Sequence, residues 1–523
     1  MKLLRSTAII GSLTLVSRLL GLVRDVLIAR YLGAGAVSDA FFTAFKLPNV
    51  FRRMFAEGAF NAAFVPLYAK RIEEDGEEAA DNFASEVGSM LLVTVLAIVV
   101  LFELTMPWSL NIIGFGLDRE VGSEGVAPYG LAVTYALVTM PYLLFMSLMA
   151  LLSGVMNTRE KFAIPTLALA LLNVFMISAL FFAPRLGLDQ SQIGLALSAA
   201  VTASGLAQAG LVWWGCKRAG VKLKFRAPKL TPGVKRLVVL GIPGILSAGI
   251  TQINLLVSHA IATTQASAAS WLTYADRLYQ LPLGMIGIAM GVALLPSLSR
   301  SIRAGDEAGA KTSLNRGIEI AAFLTLPAAV ALYVIPDFLI SGIYERGAFT
   351  SETTAQVVKA LKWFAIGLPG FVLLKVLTPA FFARENTKTP MIWAGISAVL
   401  NITIGLTLFK IIGFEGLALA TSIAAWVNVA GLFILLRQKG ELPIDRRLSR
   451  HLPRIGLANL VMGAALWFAR PYLPAMGETH IIMDFVWLSC VALGGLLIYA
   501  LAATVLRAYD RADIGMAFSR RRQ

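Results

Sequence analysis

Four arginines, Arg18, Arg24, Arg52 and Arg277, fall inside stretches whose composition otherwise suits the core of a lipid bilayer. A charged side chain at the bilayer centre costs about 2.5–3.5 kcal/mol on insertion scales, so four carry a penalty on the order of 10–14 kcal/mol. A chain that keeps all four is expected to aim them at a water-filled cavity and at something anionic. Arginine suits that use, because it stays protonated in any environment and its planar fork binds two phosphate oxygens at once. Several arginines with little acid make a trap for a diphosphate or sugar phosphate, and a poor site for cationic compounds. The plainer reading is that each arginine reaches an interface or sits in a structural ion pair.

Depth separates these readings. Arg18 lies about thirteen residues beyond the cytoplasmic end of the first span, roughly 20 Å along a helix and past the middle of a 30 Å core. Asp25, two turns on, shares its stripe, while Arg24 projects elsewhere near the far interface, where it could serve as an anchor. Residues 39–70 would span about 46 Å as one straight helix, so that helix must kink or tilt. Pro48 sits where a kink is needed, and Asn49 could satisfy the backbone groups it frees. Arg52 and Arg53 follow at mid-depth. Arg53 and Glu57, four apart, are expected to pair, which leaves Arg52 as the candidate ligand. Asp39 and Lys46 lie nearer the outer end, and Asp39 either caps its helix or has a functional role. Asp276 and Arg277 precede Leu281, Pro282 and Gly284; they point about 100° apart, so Arg277 can face a cavity while Asp276 orients a neighbour or joins an inter-helical pair. Pro48 and Pro282 are candidate bending points.

The elements that must carry these residues are legible in the composition. Of 523 residues, 57% are hydrophobic, and mean hydropathy is +0.73, too apolar for a soluble protein. Apolar runs recur from end to end, as at 87–101, 131–152 and 488–505. An all-α polytopic membrane protein follows, because only helices or closed barrels satisfy the backbone in lipid, and the alternating ten-residue segments of a barrel are missing. The net charge of +15 sits in short loops between apolar runs, which fits positive-inside topology better than nucleic-acid binding. Cys216 and Cys490 lack metal or redox spacing and read as core filler; His259, His451 and His480 are too scattered for a metal site or dyad. Lys2 and Arg5 imitate a signal peptide, but no small-residue cleavage site follows and the first helix is expected to be retained.

About fourteen spans are expected, near 7–32, 38–68, 84–106, 128–153, 163–184, 192–215, 234–262, 268–298, 315–341, 357–383, 390–411, 415–437, 452–473 and 483–507. Alternate loops are basic: Lys217, Arg218, Lys222, Lys224, Arg226 and Lys229 fill one, and Arg437, Lys439, Arg446, Arg447 and Arg450 another. Both termini therefore face the cytoplasm. The acidic stretch 73–81 reads as a solvated loop or short surface helix. Asn157-Thr158, Pro165, Asn173 and Gly194-Leu195-Ala196-Leu197 recur in order as Asn386-Thr387, Pro390, Asn401 and Gly416-Leu417-Ala418-Leu419. Leu47-Pro48 and Pro66 recur as Leu281-Pro282 and Pro296. The offset of about 225–235 residues is six spans, so the copies run parallel, an arrangement found in secondary transporters. The expected organisation is an N-lobe at 1–216, a basic cytoplasmic linker at 217–233, a C-lobe at 234–437, a basic loop at 438–451, two further spans at 452–507 and a basic tail at 508–523. The two pseudo-symmetric six-helix lobes would face a central cavity. No nucleophile elbow, Walker loop, zinc-ligand set or separated carboxylate pair occurs in a suitable setting, so a transporter is expected rather than an enzyme.

At these residues the chain resembles the MurJ (MviN-type) lipid II flippases of the MOP exporter superfamily, whose fold is MATE-like. Ser17-Arg18-Leu19-Leu20-Gly21-Leu22-Val23-Arg24-Asp25 resembles the family's first helix. Asp39-Ala40-Phe41-Phe42, Lys46-Leu47-Pro48-Asn49, Arg52-Arg53 and Phe55-Ala56-Glu57-Gly58-Ala59-Phe60 match its second closely. Tyr274-Ala275-Asp276-Arg277, Leu294-Leu295-Pro296-Ser297-Leu298-Ser299 and Lys388-Thr389-Pro390 extend the resemblance over essentially the whole chain. It implies that Arg18, Arg24, Arg52 and Arg277 engage a diphosphate and sugar headgroup, that Asp39 is functionally important, and that the last two spans form a groove for a polyprenyl tail. Some family members hold sodium with aspartates in spans 7 and 11; here those spans offer Asn254 and Asn401. That departure puts sodium coupling in question. Membrane potential could substitute, since one charge moved is worth about 2.3 kcal/mol per 100 mV.

The expected function is translocation of undecaprenyl-diphosphate-linked peptidoglycan precursor from the inner to the outer leaflet of the bacterial inner membrane by alternating access, without a cofactor. Lipid II, the bilayer and a cell-wall synthesis complex are the expected partners. The nearest rival is a flippase for another polyprenyl-linked oligosaccharide, of O-antigen or capsule type. An enzyme acting on polyprenyl diphosphates would need a carboxylate or histidine cluster, and a non-transporting scaffold would tolerate loss of Arg18 and Arg277.

Overall fold

The computed structural model describes residues 2–53, 60–118, 127–225, 227–477 and 481–509, and among them every regular element is a helix. By contacts the chain forms two compact units, Met1–Ser270 with Gly347–Phe349, and Trp271–Arg346 with Thr350–Gln523. The first contains α1 (Lys2–Leu32), α2 (Ala36–Arg52), α3 (Phe60–Leu104), α4 (Met106–Ile113), α5 (Pro128–Thr139), α6 (Tyr142–Thr158), α7 (Ala163–Phe182), α8 (Gln190–Arg218) and α9 (Pro232–Ala262). The second contains nearly all of α10 (Ala268–Arg303), then α11 (Glu307–Val334), α12 (Pro336–Tyr344), α13 (Ser351–Phe382), α14 (Lys388–Ile412), α15 (Glu415–Gln438), α16 (Arg446–Ala469) and α17 (Ile481–Val505). Among the described residues, ten helices are long and apolar enough to cross a membrane. This is a multi-pass helical membrane protein.

Helix ends follow local chemistry. Asp189 accepts from the Gln192 N–H while Gln192 reaches back, a reciprocal cap that opens α8. Thr231 followed by Pro232 opens α9, and Asp306, Thr350 and Asp445 cap α11, α13 and α16. Proline sets breaks that hydropathy does not show. The expected span at 128–153 falls within one candidate span, Pro128–Thr158, whose helices α5 and α6 meet at Met140 and Pro141, and that at 315–341 divides at Ile335 and Pro336, because proline offers no N–H to the preceding turn. Of the expected span at 38–68, α2 covers the part up to Arg52 and α3 the part from Phe60, and residues 54–59 lie outside the described residues. The acidic stretch 73–81, expected as a loop or short surface helix, straddles the junction of two helices. They are the two arms of α3, which bends at Gly76 (φ 85°, ψ 173°), a left-handed φ that suits glycine.

In the first unit α1 packs on α7, α2 on α5, α3 on α6, and α7 on α8, while α9 lies against α3, α4 and α2. In the second, α13 packs with α11 and α15, α14 with α15, and α16 with α11 and α17. Ile335, Phe338, Ile455, Met462, Leu466, Leu488 and Tyr499 form a buried apolar cluster joining α12, α16 and α17. Leu460, Leu497, Leu501 and Val505 point outward on the same helices, as lipid-facing residues do. Cys216 is buried, as expected of core filler; Cys490 is exposed, because it falls on the outward face of α17.

Candidate functional site

On α1 the two arginines have different surroundings. Arg24 is 8% exposed. It donates Nε and Nη2 to Asp25 Oδ1 at 3.0 and 2.7 Å, and Nη1 to Asn173 Oδ1 at 2.8 Å. Asn173, on α7, also donates to the Ser17 carbonyl at 2.9 Å, so one amide fixes both α1 and its guanidinium. Gly21 lies between these contacts, beside the amide. Arg24 is thus a buried, charge-compensated group rather than an interfacial anchor, and Asp25 answers it. Arg18, two turns earlier, is half-buried and has no hydrogen-bond or ion-pair partner among the described residues.

On α2, Asp39 is 3% exposed. Its carboxylate accepts from the Ser267 N–H at 2.8 Å and the Ser270 N–H at 2.9 Å, and from the Ser270 hydroxyl. It does not cap its own helix: Gly35 opens α2, with Ser38 Oγ accepting from the Gly35 N–H at 2.8 Å. Asp39 instead satisfies the otherwise orphaned donors that begin α10, where a negative charge is favoured. One turn on, Thr43 Oγ1 meets His259 Nε2 of α9 at 2.9 Å. Pro48 is buried inside α2, which stays helical as far as Arg52. Arg52 is half-buried and donates Nε and Nη2 to Asn49 Oδ1 at 3.1 and 3.0 Å, so Asn49 steers this guanidinium. Arg53 is half-buried at the end of α2. Its expected partner Glu57 lies outside the described residues, as do Arg226, His480 and the basic tail from residue 510 onward.

In the second unit, Asp276 accepts from Gln280 Nε2 one turn along α10, so Asp276 positions Gln280. Arg277 beside it is half-buried. The turn is held by ring contacts, Tyr274 with Tyr344 at 5.3 Å and Tyr279 with Phe364 and Phe371 at 4.8 and 5.4 Å. Pro282 lies within α10, which continues past it. An apolar cavity of about 610 Å³ opens among α11, α13, α15 and α16, lined by Tyr333, Pro369, Trp426, Leu460, Gly463 and Trp467.

Among the described residues no group of three or more His, Cys, Asp or Glu side chains could hold a metal. The site residues divide into compensated charges, Arg24 and Asp39, and an arginine whose five donors are unspent, Arg18. Sequence reasoning did not give Asn173, Ser267 and Ser270 a place in the site. Asn173 had a signal, being a lone amide in an apolar helix and a landmark of the repeat; its counterpart Asn401 accepts from Thr421 Oγ1 at 3.2 Å. The serines had none.

An inward-facing multidrug resistance MATE family transporter of the MOP superfamily aligns over 81% of this chain and 94% of its own, with a TM-score of 0.69 at 16% identity. The fold is therefore shared with that transporter. The family model for lipid II flippase MurJ matches residues 28–487. A probable lipid II flippase MurJ of Rhizobium meliloti (strain 1021) is 44% identical over 473 residues, covering 90% of this chain and 88% of that protein. A solved lipid II flippase MurJ in an inward closed conformation covers 95% of this chain and 98% of its own, with a TM-score of 0.78 at 26% identity. The chain belongs to the lipid II flippase MurJ family.

Proposed function

We propose that this protein is a lipid II flippase, carrying undecaprenyl-diphosphate-linked peptidoglycan precursor across the bacterial inner membrane. The observation that carries this is the likeness to a probable lipid II flippase over 90% of the chain, at 44% identity. It favours lipid II over O-antigen or capsule units, and transport over catalysis. Arg18, Arg24, Arg52 and Arg277 bind the diphosphate and sugar headgroup, with Arg18 the strongest candidate because no counter-charge answers it among the described residues. Asn49 supports Arg52 in this role by fixing its fork. Asp25, Asp39, Arg53 and Asp276 set the positions of these cations and of the helix ends that move. Fourteen spans, twelve in two parallel six-helix repeats and two beyond them, with both termini in the cytoplasm, work by alternating access, and Pro48 and Pro282 are the bending points. The apolar lining of the α11–α16 cavity and the outward apolar faces of α16 and α17 support a lipid-tail role for the final helices.

No cofactor enters this scheme. Membrane potential or an ion supplies the drive, and a cell-wall synthesis complex is the natural consumer of the product. Complementation tests the reading. In cells depleted of their own lipid II flippase, the wild-type chain restores growth and wall synthesis. Failure of a well-expressed wild type, with rescue of an O-antigen or capsule flippase mutant instead, would replace lipid II with another polyprenyl-linked oligosaccharide.

A further inference from the structure

Lys375 lies on α13, seven residues before its end at Phe382, roughly 10 Å inside a candidate membrane span. It is exposed, and it has no hydrogen-bond or ion-pair partner among the described residues. Several cations of the second unit are answered, Arg346 by Asp484, Arg447 by Glu319, Arg384 by Glu307 and Glu441, and Lys359 by Glu415. An unanswered ammonium at this depth is costly unless it meets water or an anion. Its stem lies against α10 at Gly287, where an added Cβ would come within 3.3 Å of Lys375 Cγ. The absence of a side chain at Gly287 is what leaves room for the stem. Arg277 lies ten residues earlier on the same helix, roughly 15 Å along its axis.

We propose that Lys375 is a phosphate-binding residue on the cytoplasmic approach to Arg277, meeting the diphosphate of the lipid-linked substrate before the arginine does. This rests on the flippase reading and its topology, in which α13 ends and α10 runs toward the cytoplasm. A compact ammonium on a flexible stem suits a transient contact, whereas the bidentate fork of arginine suits the firmer grip that follows.

Binding of lipid II, undecaprenyl diphosphate and undecaprenol to the full-length protein in nanodiscs tests this, with wild type, Lys375→Ala, Lys375→Arg and Gly287→Val. Lys375→Ala is expected to weaken both diphosphates by roughly tenfold or more while leaving undecaprenol unchanged, and Lys375→Arg to stay near wild type. Gly287→Val, which displaces the stem, should follow Lys375→Ala. Equal affinity of wild type and Lys375→Ala for the diphosphates would reduce the lysine to an interfacial anchor and overturn the proposal. A parallel loss of undecaprenol binding would assign it to packing and overturn it too. A wild type that binds neither diphosphate would bring down the lipid II reading itself.

Discussion

The α1–α2 region and the C-terminal helices α16 and α17 both place arginine among apolar helices, and they treat it in opposite ways. At the C-terminal end charge is consumed within the protein. Arg346, two residues past the end of α12, pairs with Asp484 of α17, whose side chain is 0% exposed. Glu319 of α11 is met by His451 Nδ1 at 2.6 Å and Arg447 at 3.3 Å, both from α16, and Arg316 bridges Glu319 and Asp445. Arg470 closes the other end of α16 on Asp337. These pairs fix α16 and α17 to α11 and α12. In α1, Arg24 leans on the adjacent Asp25 and a neutral amide, and Arg18 on no described group; in α2, the contacts of Arg52 include a neutral amide one turn away. The lesson is that an arginine in an apolar span says little by itself; what counts is whether a carboxylate from another helix answers it.

Stability measurements can break this contrast, starting where the effect is greatest. Asp484→Ala leaves a buried guanidinium unanswered and should cost about 3–5 kcal/mol, read as a lower unfolding temperature in detergent and poor recovery from membranes. A small loss there would mean the C-terminal pairs are not structural. Asn173→Ala strips Arg24 of one acceptor and the Ser17 carbonyl of its donor, with an expected loss of about 1–3 kcal/mol by the same assay. Ser270→Ala removes a single hydroxyl from Asp39 while the backbone donors remain, so about 0.5–1.5 kcal/mol is expected. Arg18→Ala should change stability by no more than about 0.5 kcal/mol, since no described contact is lost. A large loss in Arg18→Ala would place that arginine with the structural ones.

Much of this was legible beforehand, and the limits have physical causes. Repeated apolar runs were enough for the helical membrane class, and the depth of Arg18 along α1 marked it as hard to explain structurally. The breaks at Pro141 and Pro336 were readable from proline chemistry, although hydropathy runs smoothly across them. Asp39 could be seen to be significant, but its partners Ser267 and Ser270 are 228 and 231 residues away, a distance no local pattern bridges. Asp81 looked like one solvated acid among several. It is 4% exposed and takes Tyr68 at 2.8 Å, Arg159 at 2.7 Å and the Lys222 N–H at 2.8 Å, because the bend at Gly76 and the packing of α3 on α6 turn it inward. Asp484, in the first turn of α17, carried nothing in its neighbourhood to distinguish a helix-start acid from half of a buried pair.

The most direct measurement is the rate at which lipid II reaches the outer leaflet in cells depleted of their own flippase and supplied with Arg18→Ala at wild-type abundance. Loss of externalised lipid II, with an unfolding temperature matching wild type, is the expected result and would make Arg18 a substrate-handling charge. Wild-type externalisation by this variant would contradict the assignment of the unanswered arginine to the diphosphate.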